Sequence, residues 1–184
     1  MNLIIMTEER SMQELLEKIL PPILPEDVYL KVIPHSGKSD LQASIPRKLK
    51  AWNVPETRFI IVHDQDSADC IKLKKNLQHV CDQYRDGVLI RIACVELESW
   101  YFGDMAAVAE AYGKPDLIPL SNKSKYRIPD KIQNPKDELR KILPEHQQIG
   151  GARRIGKHMN IGRNTSESFQ MFISGVKKIT GSVT

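Results

Sequence analysis

Apolar residues in this chain come in four short runs, each followed by a stretch with helical spacing, and this alternation constrains the fold more than any other feature. "NLIIM", "DVYLKVI", "RFIIV" and "GVLIRIACV" have the length and β-branched content of strands. "RFIIV" is apolar at successive positions, so it must be covered on both faces. The stretches between them read as helices. "SMQELLEKIL" puts Leu15, Leu16, Ile19 and Leu20 on one face, with Ser11 and Glu14 spaced as a capping box and Pro21–Pro22 as a stop. "HSGKSDLQASIPRKLKAW" predicts a turn and a short helix, capped by Ser39 and Gln42. "SADCIKLKKNLQHVCDQY" aligns Cys70, Leu73, Leu77, Val80 and Tyr84, and "ELESWYFGDMAAVAEAYG" aligns Leu97, Tyr101, Met105, Val108 and Tyr112 in one helix. Strands alternating with helices demand crossover connections. The expected class is therefore α/β, a mainly parallel sheet of about four strands flanked by helices.

The pattern breaks after Gly113. The Pro-rich "KPDLIPLSNKSKYRIPDKIQNP" predicts a long loop, and "KDELRKIL" and "GGARRIGKHM" predict short helices. "NTSESFQMFISGVKKI" predicts a last helix with Asn164 as N-cap and Glu167 at N3. Its stripe of Phe169, Phe172, Ile173 and Val176 is expected to pack beside Trp100, Tyr101 and Phe102. With 184 residues the chain suits a single domain: a sheet core over 1–113 and a basic loop and helical extension over 114–184. Cys70, Cys81 and Cys94 lack the spacing of a zinc site or a disulfide framework. No apolar run reaches membrane-spanning length and the first residues lack a signal-peptide pattern, so the expected location is the cytoplasm.

Ligands of parallel α/β sheets bind beyond the carboxyl ends of the strands. Three of those ends are acidic here: "TEER" with Glu8 and Glu9, "HDQD" with Asp64 and Asp66, and "ELES" with Glu96 and Glu98. Extended residues two apart point the same way, so each of the last two pairs can aim into one space. Carboxylates so gathered repel one another unless a proton or a cation sits among them, and Mg²⁺ (or Mn²⁺) is the hard cation that takes oxygen ligands and leaves room for phosphate. The competing reading is local: Asp66 or Ser67 capping the next helix, Glu98 in the first turn of its own. From Ser121 onward the chain carries about 13 Lys and Arg against about 5 Asp and Glu, roughly +8 in all. A basic tail beside an acidic pocket suits a polyanion. "SGKSD" does not complete a phosphate loop, because Val32 stands where the first glycine is needed; Lys38 remains a phosphate-binding candidate. A receiver domain would need a fifth β-α unit with a lysine, and it leaves Asp66 without a role.

"GKSDL", "HDQDSADC", "RIACVELESWYFGD", "KYRIPD" and "NTSESFQMF" together resemble the TOPRIM-like family known as domain of unknown function DUF4276, across almost the whole chain. More broadly, the acid after the first strand and the D-x-D after a later one look like the TOPRIM domain of topoisomerases, primases and OLD-type nucleases. The resemblance implies a TOPRIM-like fold, and prokaryotic proteins often encoded beside an ABC-type ATPase, an arrangement suggestive of phage defence. Position by position, Glu8 matches the TOPRIM glutamate, and Asp64 and Asp66 match the D-x-D pair. Two positions depart from the pattern. The glycine after the glutamate is Glu9, and the second acid four residues after the first is Met12. Glu96 or Glu98 is then needed to complete a two-metal set.

The expected function is Mg²⁺-dependent phosphoryl transfer, foremost nucleic-acid cleavage. Glu8, Asp64 and Asp66 would carry it, Glu96 and Glu98 would supplement the ligands, and Lys38, Arg153, Arg154, Lys157 and Arg163 would grip phosphates. The alternative is a non-catalytic adaptor of a partner ATPase, with a degenerate metal site. Trp100, Tyr101 and Phe102 could stack on bases, but core packing is the more ordinary role for them; His63 is expected to be structural.

Overall fold

The computed structural model describes residues 1–182. Its centre is a four-stranded, all-parallel sheet: β1 (Asn2–Thr7), β2 (Tyr29–Pro34), β3 (Thr57–Asp64) and β4 (Leu89–Ala93), in the order β2-β1-β3-β4. Ile5 of β1 lies opposite Val32 of β2 and Ile60 of β3, and Asp64 of β3 lies opposite Ala93 of β4. All four expected strands form; β1 and β3, in the middle, are apolar runs covered on both sides, while β2 at the edge stays partly exposed.

The two faces hold separate cores. Leu3, Ile5, Ile60 and Val62 face α1 (Arg10–Ile19) and the helices that follow β4. Ile4, Met6, Phe59 and Ile61 face α2 (Lys38–Ala51) and α3 (Cys70–Asp82). The crossover from β1 leaves to one face and the crossovers from β2 and β3 to the other. β1 and β3 are neighbours whose chains depart in opposite directions, so a crevice opens between their carboxyl ends.

Several helix ends differ from the sequence reading. α1 starts at Arg10 after Glu9, without a side-chain cap; Ser11 is buried, and Glu14 is committed to Arg153. α2 starts after Gly37 and runs 14 residues through Pro46. Asp69, not Asp66 or Ser67, caps α3 by accepting from Lys72 N–H at 2.9 Å. The stretch from Glu98 breaks into α4 (Glu98–Phe102) and α5 (Met105–Tyr112), because Asp104 turns in and caps α5. The Pro-rich stretch holds short 3₁₀ turns over Pro115–Asn122 and Pro129–Lys131. After α6 (Pro135–Ile142) and α7 (Gln148–Gly156), the chain closes with α8 (Glu167–Thr180).

Trp100, Tyr101 and Phe102 are wholly inside. Trp100 stacks on Phe172 at 5.3 Å and meets Phe169 edge-on, so the aromatic triplet and the α8 stripe make one core. The N-cap of α8 is Ser166, whose hydroxyl accepts from Phe169 N–H at 3.2 Å; Asn164 instead ties the preceding turn to Trp100 O at 2.8 Å. Ser166→Ala is expected to destabilise the protein by about 1 kcal/mol, the usual cost of a lost cap, read as a lower midpoint in urea with an unchanged slope. An unchanged midpoint would mean that the cap contributes nothing here.

Candidate active site

At the crevice between β1 and β3 lies a cleft of about 240 Å³. Glu8, Glu9, Asp64, Asp66, Glu96 and Glu98 all line it, with Met12, Lys38, Lys136 and Gln148. All six acids at the three strand ends therefore stand in one space. Glu9, which departs from the family's glycine, is among them, its carboxylate accepting from Gln148.

Each acid is held differently. Glu8 follows β1 and is 9 % exposed. Its Oε1 accepts Asp64 N–H at 2.9 Å and lies 2.5 Å from Nδ1 of the buried His63, while no described residue donates to Oε2. His63 Nε2 faces Gln42 Nε2 at 2.9 Å, which fixes the ring from behind. Burial opposes charge on His63, but the Glu8 carboxylate and the Asp64 carbonyl outweigh it and hold its pKa above the ordinary value. Asp66 is exposed and pairs with Lys38 at 3.0 Å. Glu96 accepts Lys136 N–H at 3.1 Å. Glu98 opens α4 and is 3 % exposed; burial, then the charge of Glu96, pushes its pKa up to about 7. Asp64 feels burial first and then Glu8, Glu98, Glu9 and Asp66, and its pKa stands well above the usual carboxylate range.

The backbone around the acids is strained. Asp66 and the β-branched Val95 both have positive φ, 51° and 60°. Asp66 N–H donates to Val95 O at 2.7 Å, and Val95 N–H to Gln65 Oε1 at 3.2 Å, so the loops after β3 and β4 are zipped together. Such conformations cost on the order of 1–3 kcal/mol each, and they gather where a site needs fixed geometry. Gly37 takes φ 101°, a conformation that favours glycine, and in it its N–H reaches Glu8 O at 2.9 Å.

The cations of the tail lie elsewhere. Arg153 forks onto Glu14 at 2.8 and 2.7 Å, and Arg163 onto the buried Asp104 at 2.7 and 3.1 Å. Arg154 lies over the Tyr112 ring, Lys157 is exposed just after α7, and none of the four lines the cleft. Packing of α8 beside Trp100 does not bring them to the acids, because each arginine is caught by a partner distant in sequence.

A hard divalent cation fits this cleft by donor chemistry. The donors are carboxylate oxygens, two of them on acids whose pKa is raised by burial and then by the neighbouring acids, and the buried Tyr101 hydroxyl beside them has no hydrogen-bond partner among the described residues. Among those residues no three acids, histidines or cysteines yet converge at coordinating distance.

The parallel sheet, its switch point and the acids gathered there define a TOPRIM-like α/β domain. The chain belongs to the family described as Domain of unknown function (DUF4276), whose model matches residues 7–177. The C-terminal region of the Burkholderia pseudomallei OLD protein has a similar structure, with a TM-score of 0.56 at 14 % identity over 97 % of this chain and 96 % of that one. At that identity the likeness is one of fold. No curated protein matches the sequence. None of the helices among the described residues is long and apolar enough to cross a membrane.

Proposed function

We propose that the chain is a divalent-metal-dependent phosphodiesterase acting on nucleic acid. The observation that supports this most is the cleft itself: six carboxylates at a topological switch point, two of them with pKa raised by burial and then by the neighbouring acids. Asp64, Asp66 and Glu8 would hold the cation, with Glu96 and Glu98 beside them. The cation would supply charge neutralisation on the phosphate and the leaving oxygen. Glu8 is anchored through Oε1, which leaves Oε2 to take the proton of an attacking water. Lys38 would release Asp66 to the metal and turn to a phosphate oxygen, which is a better partner for it at the mouth of the cleft. Work beside an ABC-type ATPase in phage defence belongs to the same proposal; its support is the family resemblance and the likeness to part of the OLD protein.

One observation favours a second reading, an adaptor without catalysis. Met12 is buried at the cleft wall where a second acid is needed, so the ligand set rests on Glu96 and Glu98. Incubation of supercoiled plasmid and of single-stranded DNA and RNA with the protein and Mg²⁺ or Mn²⁺ separates the two. Metal-dependent cutting that EDTA stops is expected. No cutting with either metal, with or without the ATPase, would leave the adaptor.

A further inference from the structure

A groove of about 590 Å³, larger than the acidic cleft, runs along the free edge of β4, between α3 and α8. Lys74 of α3, Arg91 of β4, and Arg127 and Lys131 of the Pro-rich loop line it, over a floor that includes Ile92 and Met171. None of these four cations has a carboxylate within ion-pair distance among the described residues. Two acids, Asp130 and Glu167, line the groove against the four cations; Asp130 is held in place by accepting from Ser166 Oγ at 2.6 Å and from Ser168 N–H at 2.7 Å. The groove therefore carries a net positive charge over an apolar floor.

Its position relative to the acids is set by covalent connection. Cys94 lines the groove and Glu96, two residues on, lines the cleft; Asp66 lines the cleft and Cys70, four residues on, lines the groove. The two zipped loops that hold the acids thus form the wall between the two spaces. We infer that the β4 groove is the track on which a single strand of nucleic acid lies before its phosphate enters the acidic cleft, an inference that rests on the nucleic-acid reading proposed above. A cleft lined with six carboxylates repels a polyanion, so an approach with its own cations is a physical requirement. The apolar floor suits sugar and base faces, and the volume suits a short stretch of one strand, not a duplex.

An open sheet edge could instead accept an acidic peptide as an added strand. The edge of β4 is already in use: Arg91 Nη1 donates to Ile90 O at 3.1 Å, and Arg91 Nε donates to Met171 O at 2.9 Å. The guanidinium covers a carbonyl that an incoming strand would need, while its charge stays available to a phosphate.

The test uses the full chain, fluorescein-labelled single-stranded DNA and RNA oligonucleotides, and the double variant Arg127→Glu with Lys131→Glu. Both side chains are exposed, so the fold should hold, which an unchanged circular dichroism spectrum and melting curve would verify. Binding followed by anisotropy should weaken at least about ten-fold, and the slope of log Kd against log salt should fall by about 1.4, for two lost phosphate contacts. Lys177→Glu with Lys178→Glu, on α8 away from the groove, should leave both unchanged. Cleavage by the groove variant should show a raised KM with kcat nearly kept. Equal binding by wild type and groove variant, with metal-dependent cutting intact, overturns the track and leaves the phosphodiesterase reading standing. Wild type that neither binds nor cuts any of these nucleic acids overturns both. Poly-glutamate that binds as tightly as the oligonucleotides, and is lost equally in the groove variant, reassigns the groove to an acidic protein segment.

Discussion

Asp64→Asn is expected to abolish metal-dependent cleavage and, in EDTA, to make the protein more stable. The two effects have one cause. Asp64 sits at the end of β3, surrounded by Glu8, Glu98, Glu9 and Asp66, and burial removes the water that would screen them. Without a cation, burial and then these neighbours oppose its charge, so folding must either keep the charge at a cost or take up a proton that the unfolded chain has released. An amide of the same shape removes that cost, and the melting temperature should rise by about 2–4 °C for each kcal/mol relieved. The charge that Asp64 would bring to a metal and a transition state is lost with it, and the rate should fall on the order of a thousand-fold, about 4 kcal/mol. Calorimetry in EDTA and plasmid nicking in Mn²⁺ would measure both. A steep drop in melting temperature in the metal-free variant would make Asp64 a structural residue, and cleavage at the wild-type rate would remove it from the proposed chemistry.

The second large effect is a loss of stability as pH rises. Glu98 has a folded-state pKa of about 7 against an ordinary 4.5, so between those values the folded chain keeps a proton that the unfolded chain releases. Stability therefore falls across that window, by up to about 3 kcal/mol for Glu98 alone. His63 acts in the same direction: its pKa is raised, so its contribution is complete below the ordinary value of 6.5 and fades as pH climbs through the folded value. Glu138, drawn down to about 2 by Lys125 and then Lys141, contributes fully above 4.5 and does not blur the window. Urea unfolding in EDTA at about pH 5 and about pH 8 should show the difference, and Glu98→Gln should remove the Glu98 share while the shares of Asp64 and His63 stay. If the variant keeps the full pH dependence, Glu98 contributes nothing to it.

Four strands, their order along the chain and the acidic character of one sheet edge were all legible in the sequence. The reason is local. Strand and helix periodicities are written within a few residues, and in a parallel sheet every strand delivers its carboxyl end to the same side, so Glu8, Asp64 and Glu96 were bound to come out together. The capping boxes expected at Ser11 and Ser39 were equally local, yet they failed. The first turn of α1 is spent on burying Ser11 and sending Glu14 to Arg153, while α2 begins after Gly37, which bonds to Glu8 O.

What only the tertiary structure decided depends on residues far apart in the chain. Strand order placed β1 beside β3, and with it Glu8 against the backbone of Asp64, 56 positions away. Arg153 met Glu14 across 139 positions and Arg163 met Asp104 across 59, which took both arginines out of the reserve of free cations that the tail seemed by count to offer. Lys74, Arg91, Arg127 and Lys131 have no ion pair among the described residues, and they share a groove only because α3, β4 and the Pro-rich loop pack side by side. Residue type fixes how many charges a chain carries. Which of them remain available is a matter of distance, since an ion pair depends on a few ångströms of approach that no spacing along the sequence encodes.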